Sequence, residues 1–195
     1  MFTWINTSQN WRVPHISLAA NDEIYLRPFV YEDDLAYQQE INLTLSEPET
    51  PKYMLTFPQP FYRRHARARI SQTHQWLRED RGWSLALIYK GNLAGQMQII
   101  CGLPSRRRAE VSYWLSPTYR RIGLARKGVS ALIKAAQKQW PVDQIEATVV
   151  PGNSESIALL KDLGFTQQEI APVSYRVQGQ WRRKWADLEI FRLEG

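Results

Sequence analysis

Six consecutive residues near the middle of the chain have the composition of an anion-binding turn: Arg120, Arg121, Ile122, Gly123, Leu124 and Ala125. A strand-to-helix turn leaves backbone N–H groups unpaired, and the helix end adds partial positive charge, so such a turn can bind a diphosphate. Gly123 lets the backbone approach the anion closely, and Ala125 is about the largest side chain tolerated beside it. Arg120, Arg121, Arg126 and Lys127 could add charge for further phosphates. Taken alone, the hexapeptide fits an ordinary helix start with a solvated basic face better than a binding site.

Two carboxylates and one polar pair are the other candidates for chemistry. Glu110 and Glu146 lie in separate predicted strands, and Glu146 could approach Glu110 across a sheet, although the sequence does not determine the register. Asn153 and Ser156 are three residues apart at the start of a predicted helix, which places both on one helix face. Asn153 could equally serve only as the cap of that helix.

Hydrophobic periodicity predicts an α+β fold with a central sheet that positions these residues. The first half is predicted to contain a strand at 24–30, a short helix from Asp33 and Asp34 through Ile41, and a helix at 62–79. Three consecutive strands are predicted to follow at 83–90, 93–100 and 109–115. The rest is predicted to contain a helix at 123–139, a strand at 144–150, a helix at 154–163 and two strands in the tail. Gly91-Asn92 is predicted as the hairpin turn between the second and third strands, since both residues accept positive φ. Residues 1–23 are predicted to be an N-terminal extension, and residues 24–195 the folded domain.

Composition restricts the class of protein. The chain has 195 residues, a formal net charge of +6 and one cysteine, Cys101, which excludes an intramolecular disulfide framework. No apolar stretch approaches the ~20 residues of a membrane-spanning helix, and the first residues lack a signal-peptide pattern. A cytoplasmic protein without membrane association is therefore expected. The basic charge indicates an anionic partner without identifying it.

The turn and the segments around it resemble the GNAT superfamily of N-acetyltransferases. The family pattern Gln/Arg-x-x-Gly-x-Gly/Ala is met by Arg120, Gly123 and Ala125, with YWLSP (113–117) before it and PGNSESIALLKDLGF (151–165) after it. Two motifs in this order, separated by a helix and a strand, are far more specific than either one. The spacing resembles the ribosomal-protein-alanine N-acetyltransferases (the RimJ/RimL-like branch). The resemblance implies a GNAT fold, with a mixed, mostly antiparallel sheet of about seven strands and about four helices.

This resemblance also implies a co-substrate and a place for it. Acetyl-CoA would bind with its diphosphate at residues 120–126, and no metal is implied. Its pantetheine arm would lie in a V-shaped opening between the strands at 109–115 and 144–150. There it would bond to the backbone around Tyr113, Trp114 and Leu115, where one N–H would also contact the oxyanion.

The roles of four side chains follow from the same resemblance. Glu110 is the first candidate for the base that accepts the ammonium proton, directly or through water, and Glu146 is the second. Asn153 would contact the pantetheine, and Ser156 would protonate the leaving sulfur. Many relatives carry a tyrosine one turn after this serine as the acid. Here that residue is Leu160, which is predicted to belong to the core.

No motif identifies the acceptor. A protein or peptide α-amine is the first hypothesis; a small amine such as an aminoglycoside, polyamine or amino acid, an aminoacyl-tRNA, and a non-catalytic CoA- or RNA-binding role are the alternatives. The loop at 42–60 and the terminal hairpin should set specificity, and Trp114 and Trp181 could line the acceptor groove. Arg183 replaces an aspartate common in the branch. Two groups of arginines could attract an acidic peptide, RNA or a ribosome, or simply be solvated: Arg63, Arg64, Arg67 and Arg69, and Arg106–Arg108. A monomer and a homodimer are both open.

Overall fold

A single nine-stranded sheet forms the centre of the protein. The computed structural model describes residues 1–6, 12–20, 23–102, 107–175, 177–180 and 182–194. The strands are β1 (Phe2–Asn6), β2 (Arg12–Ser17), β3 (Ile24–Pro28), β4 (Gly82–Tyr89), β5 (Asn92–Cys101), β6 (Arg108–Leu115), β7 (Gln144–Val149), β8 (Thr166–Tyr175) and β9 (Lys184–Glu194). The helices are α1 (Asp34–Leu45), α2 (Arg63–Arg78), α3 (Leu124–Gln139) and α4 (Ser154–Asp162).

The strand order is β1-β2-β3-β4-β5-β6-β7-β9-β8, and every neighbouring pair is antiparallel except β6 and β7. The predicted α+β class, the mixed and mostly antiparallel sheet and the four helices are therefore confirmed. The expected count of seven strands was too low by two. The additional strands, β1 and β2, lie within residues 1–23; they pair with each other, and β2 pairs with β3. The division into an extension and a domain from residue 24 stays a prediction.

Helices cover both faces of the sheet and enclose two apolar cores. On one face, α3 and α4 contribute Val129, Leu132, Ala136 and Leu160 to a core that includes Val111 of β6. The predicted apolar face of α3 is thus confirmed. On the other face, α1 and α2 enclose a second core of ten buried residues, which includes Trp114 of β6. Successive residues of β6 therefore point to different helical layers, as the pleat of a strand requires.

The hairpin turn between β4 and β5 differs from its prediction. Lys90 and Gly91 hold the left-handed conformations, with φ of 48° and 80°, while Asn92 pairs with Tyr89 in the sheet. The prediction that Gly91 and Asn92 form this turn was wrong by one residue. The loop predicted at 42–60 also begins later, because α1 continues through Leu45, and it contains one 3₁₀ turn, Thr50–Tyr53.

The parallel pairing of β6 with β7 ends early. Only three pairs form, and the last joins Glu110 to Glu146. Beyond it β6 stays paired with β5 as far as Leu115, and β7 stays paired with β9 as far as Val149. The two strands therefore separate, which confirms the V-shaped opening expected between them.

Candidate active site

A cleft of about 820 Å³ lies at the open end of β6. Four parts of the chain line it: the end of β6, the turn that begins α3, the turn that begins α4, and the loop that follows α1. Most of the predicted site residues border this cleft, namely Tyr113, Trp114, Leu115, Arg120, Arg121, Gly123, Leu124, Ala125, Arg126, Asn153 and Ser156. Ile122 is half exposed beside it, and Glu110 and Glu146 lie outside its lining.

The turn before α3 has the backbone of an anion-binding site. Gly123 is the N-cap of α3 with φ of 80°, and Arg121 also has a positive φ, 62°. No side chain caps α3, so the N–H groups of Leu124, Ala125 and Arg126 in its first turn remain available to an anion. A Cβ at Gly123 would meet nothing within 4 Å, so conformation, rather than crowding, requires glycine there. A left-handed arginine costs about 1–2 kcal/mol, and such strain concentrates at ligand-binding segments.

Acidic side chains already pair with the three arginines of this turn. Arg120 contacts Glu47 at 2.7 Å, Arg121 contacts Glu155 at 3.3 Å, and Arg126 contacts Asp162. All three acidic residues come from outside the turn. The positive charge that the sequence suggests for further phosphates is therefore partly neutralised, and the uncapped backbone N–H groups of α3 are the donors of this turn that remain available to an anion.

The backbone edge of β6 that faces the opening can be assigned from two hydrogen bonds. Ser116 N–H donates to the carbonyl of Ala94, and Gly102 N–H donates to the carbonyl of Arg108. Because antiparallel partners alternate between bonded and non-bonded pairs, the even-numbered residues of β6 bond to β5. The N–H groups of Tyr113 and Leu115 therefore face the opening. The carbonyl of Leu115 accepts from Arg120 Nε at 3.2 Å.

Trp114 has a different environment from its two neighbours. Its backbone groups face β5 by the same alternation, and its buried indole Nε1 donates to Gln96 Oε1 at 3.0 Å. Gln96 Oε1 also accepts from Tyr37 O–H at 2.6 Å, and Gln96 Nε2 donates to Ser84 Oγ at 2.6 Å. This buried network joins α1 to the three strands beneath the cleft. Trp114 thus supports the cleft wall through its side chain.

The start of α4 brings the predicted polar pair to the cleft. Asn153 caps the helix, since its Oδ1 accepts from the N–H of Ser156 at 3.3 Å, so its capping function is real. Ser156 Oγ lies 2.9 Å from the hydroxyl of Tyr113. Burial raises the pKa of Tyr113 to about 12, although its bond to Ser156 acts in the opposite direction. Leu160 is fully buried in the core, as predicted.

Glu110 and Glu146 are neighbours at the last pair that joins β6 and β7, where these two strands begin to separate. Thr148 Oγ1 donates to Glu110 Oε1 at 3.3 Å, while Arg192 pairs with Glu146 at 2.9 Å. Burial raises the pKa of Glu110, and the charge of Glu146 raises it further. By the alternation of β6, Glu110 shares the sheet face of Trp114, whereas Tyr113 packs against the core beneath α3. The base candidates and Ser156 therefore lie on opposite faces of the sheet, beside the same opening.

Two of the loop residues that line the cleft after α1 also bond to its other walls, without any signal in the sequence. Glu47 binds Arg120, and Tyr53 O–H donates to the carbonyl of Gly152 at 2.8 Å, just before α4. The loop therefore contacts both turns that begin a helix at the cleft. Neither contact could be predicted, because each depends on packing between segments that are far apart in the chain.

Most arginines outside the cleft have internal partners. Arg63 and Arg67 both pair with Asp34, and their bonds, that of Arg63 first, lower the pKa of Asp34 to about 2. Arg69 stacks on Phe57 and binds Thr56 and Gln178, while Arg107 pairs with Asp143. Arg64 lies over the ring of Tyr62, and Arg183 binds Ser174. Cys101 is buried, as predicted. Arg106 and Trp181 lie outside the described residues.

Comparison with known proteins agrees with this geometry. A family model described as an acetyltransferase (GNAT) domain matches residues 23–166. A sequence comparison with curated proteins finds no significant match. One similar solved structure is the Salmonella typhimurium acetyl transferase that modifies the N-terminal serine of 50S ribosomal subunit protein L7/L12. It has 14% sequence identity and a TM-score of 0.75, and the match covers 92% of this chain and 98% of that one.

Two further structures have a similar fold and contain a CoA species. The microcin C7 self-immunity acetyltransferase MccE, in complex with acetyl-CoA and AMP, has 19% identity and a TM-score of 0.73, over 91% of this chain and 98% of that one. Mycobacterium smegmatis RimJ, in complex with CoA-disulfide, has 20% identity and a TM-score of 0.70, over 88% of this chain and 81% of that one. At these identities the likeness concerns the fold.

The chain belongs to the GNAT acetyltransferase family, because the family model matches well over half of it. Its predicted class, an acetyl-CoA-dependent N-acetyltransferase, is thereby confirmed. Across the described ranges, no helix has the length and apolar character needed to cross a membrane.

Proposed function

We propose that this enzyme transfers the acetyl group of acetyl-CoA to the α-amine of a protein or peptide, as RimJ/RimL-like enzymes do. The observation that carries the site assignment is the opening between β6 and β7, with a free backbone edge, an anion-binding turn and Ser156 along one cleft. The diphosphate binds at Gly123–Arg126. The pantetheine amides bond to the edge at Tyr113 and Leu115, as an added strand would.

Direct attack by the amine in a ternary complex fits the composition of the cleft. Covalent transfer through a cysteine would need an accessible thiol, but the chain has one cysteine, Cys101, which is buried in a core. The donor enters beside α3 and α4, and the acceptor approaches from the opposite face of the sheet. The two substrates then meet at the opening, where the strands have no contact with each other.

Glu110 is the base in this proposal. Its carboxylate has no cation bound to it in the described contacts, and its raised pKa makes it a better proton acceptor than an ordinary carboxylate. Glu146 is less suitable, because its ion pair with Arg192 occupies the carboxylate and restrains the side chain. Glu146 instead favours a raised pKa at Glu110 and attracts the ammonium group of the acceptor.

Ser156 is the proton donor. As the amine nitrogen bonds to the thioester carbon, the oxyanion is stabilised by a backbone N–H of the β6 edge. The C–S bond then breaks, its electron pair remains on sulfur, and the sulfur takes the proton of Ser156 Oγ. Asn153 orients the first turn of α4 through its cap and lines the cleft beside the pantetheine.

A peptide acceptor is favoured over aminoacyl-tRNA by the charge distribution. Arg63, Arg67 and Arg107, which could have attracted RNA, are paired with carboxylates. Small amines remain the second hypothesis, because MccE, a self-immunity acetyltransferase in complex with acetyl-CoA and AMP, has a fold of similar likeness. Exposed cations such as Arg64 and Arg108 would suit an acidic peptide or the ribosomal surface as a partner.

The test measures thiol release and products together. The full chain is incubated with acetyl-CoA and, separately, with peptides that begin with alanine or serine, with polyamines and aminoglycosides, and with aminoacyl-tRNA. Mass spectrometry should find acetylated peptide α-amines. Acetylation confined to small amines or to aminoacyl-tRNA would reject the peptide proposal, and no transfer to any amine would reject catalysis.

Three variants and one control test the roles. Glu110→Gln should lower kcat/KM by about 10²–10⁴-fold, as loss of a general base does, whereas Glu146→Gln should have a much smaller effect. Ser156→Ala should lower kcat. Ser130→Ala is the matched control, since Ser130 is a half-buried helical serine outside this cleft. A larger loss with Glu146→Gln than with Glu110→Gln would reverse the assignment of the base.

A further inference from the structure

Tyr113 makes a contact that the proposed mechanism does not yet use. Its hydroxyl lies 2.9 Å from Ser156 Oγ and 3.5 Å from the backbone carbonyl of Ser156. Tyr113 is in β6 and Ser156 is in the first turn of α4, so the contact joins the sheet to the helix across one wall of the cleft. Both residues border the cleft.

Either hydroxyl could donate in this hydrogen bond, and distance and acidity both favour Tyr113 as the donor. The phenol has one hydrogen, and Ser156 Oγ at 2.9 Å is a much closer acceptor for it than the Ser156 carbonyl at 3.5 Å. A phenol is also a stronger acid than an alcohol and is the better donor of the two. With a pKa of about 12, the phenol keeps its hydrogen at neutral pH.

Once Tyr113 donates to it, Ser156 Oγ retains its own hydrogen for another partner. A serine in a helix often donates to the carbonyl four residues earlier, which is Gly152 here. That carbonyl already accepts from Tyr53 O–H at 2.8 Å. The described contacts include no hydrogen bond from Ser156 Oγ to that carbonyl, so the serine hydrogen can point into the cleft that Ser156 borders.

We propose that Tyr113 is the positioning residue for Ser156: its hydroxyl donates to Oγ and directs the serine hydrogen toward the departing sulfur. This inference rests on the proposed function, in which Ser156 is the proton donor. Relatives with a tyrosine one turn after the serine carry the phenol on the helix, where this chain has the buried Leu160. Here the phenol reaches the same serine from the sheet.

In the step itself, the C–S bond breaks, its electron pair stays on sulfur, and the proton of Ser156 Oγ passes to that sulfur. Tyr113 keeps its own proton. Its hydrogen bond strengthens while Oγ carries negative charge, because hydrogen bonds to ionised acceptors are stronger than those to neutral ones. Exchange with solvent then returns a proton to Oγ and removes the proton that Glu110 accepted from the amine, so that both groups regain their starting states.

The test is a double-mutant cycle on kcat with Tyr113→Phe and Ser156→Ala, using acetyl-CoA and the best acceptor of the wild type. Tyr113→Phe should lower kcat about 10- to 100-fold, the range for losing a hydrogen bond to a charged group, with KM for acetyl-CoA changed less than about threefold. In the Ser156→Ala background the same change should have almost no further effect. Tyr119→Phe, in a half-buried tyrosine beyond the same strand, should be additive with Ser156→Ala.

Each outcome bears on a distinct statement. Equal losses of kcat from Tyr113→Phe in both backgrounds would mean a packing role and would overturn the inference, as would a Tyr113→Phe variant as fast as the wild type. If Ser156→Ala itself retains wild-type kcat, the proton-donor assignment fails and the inference fails with it. Strong non-additivity, with a melting temperature near that of the wild type, supports it.

Discussion

Gln96 is the residue whose loss should most clearly separate buried hydrogen bonding from simple packing. Its side-chain carbonyl accepts from Tyr37 O–H and Trp114 Nε1, and its amide nitrogen donates to Ser84 Oγ. The four side chains are buried and come from α1, β4, β5 and β6. Gln96→Met keeps the approximate shape of the side chain but removes every polar atom that these partners use.

The magnitude follows from the number of donors left without an acceptor. Tyr37 and Trp114 would each lose a buried partner, at about 1–3 kcal/mol per group, so unfolding should become easier by about 2–6 kcal/mol. For a chain of this length each kcal/mol lowers Tm by roughly 2–4 °C, which gives a fall of roughly 4–24 °C. Since Trp114 lies between Tyr113 and Leu115, KM for acetyl-CoA should rise as well.

Thermal unfolding followed by circular dichroism measures this effect, with Gln98→Met as the matched control. Gln98 lies two residues further along β5 on the same face, is half-buried, and contacts Gln96 only at 3.4 Å. Its substitution should lower Tm by no more than roughly 2 °C, as expected for a site without such a network. A Gln96→Met protein that melts as high as Gln98→Met would refute the assignment of a stabilising buried network.

Three further predictions concern single residues. Gly123→Ala should raise KM for acetyl-CoA by about 10-fold, because a left-handed alanine costs about 1–2 kcal/mol and relaxing it turns the N–H groups away from the anion; an unchanged KM in steady-state kinetics would contradict this. Glu146→Gln should move the acidic limb of the kcat/KM–pH profile to lower pH, since the charge of Glu146 helps raise the pKa of Glu110, and a limb that stays in place would exclude Glu110 as the titrating base. Asp34→Asn should lower Tm at pH 7, where the carboxylate is charged and bound to Arg63. Because the pKa of Asp34 is lowered to about 2, the difference in Tm between the variant and the wild type should shrink as pH falls from about 4 to 2. A difference in Tm that persists below pH 2 would contradict this linkage.

The parts of the site that depend on local sequence could be predicted, and those that depend on register could not. Gly123 and Gly164 mark the start of α3 and the end of α4, and both have the positive φ that their positions require. These features are fixed by neighbours within a few residues. The pairing of Glu110 with Glu146 instead depends on how two distant strands align, which a single sequence does not encode locally.

A proline explains why the two N-terminal strands, β1 and β2, are hard to predict from the sequence. Pro14 lies within β2, opposite a residue of β1, and a proline in a short run argues against a strand when only the sequence is read. Similarly, Lys90 holds a left-handed conformation that lysine rarely adopts, because the pairing of Tyr89 with Asn92 forces the turn one residue earlier. In both cases the sheet overrides the local preference of the residue.

In the proposed mechanism, the pleat of β6 allows one strand to serve both substrates. Glu110 and Tyr113 are three residues apart, an odd number, so their side chains must lie on opposite faces of the sheet. Between them, the backbone edge that is free for the donor begins at the pair where β7 diverges. The proposed base, the proposed cofactor edge and the tyrosine that contacts Ser156 therefore occupy three different sides of a single strand. An insertion or deletion of one residue between Glu110 and Tyr113 would bring both side chains to one face, and it should abolish transfer even if acetyl-CoA still binds.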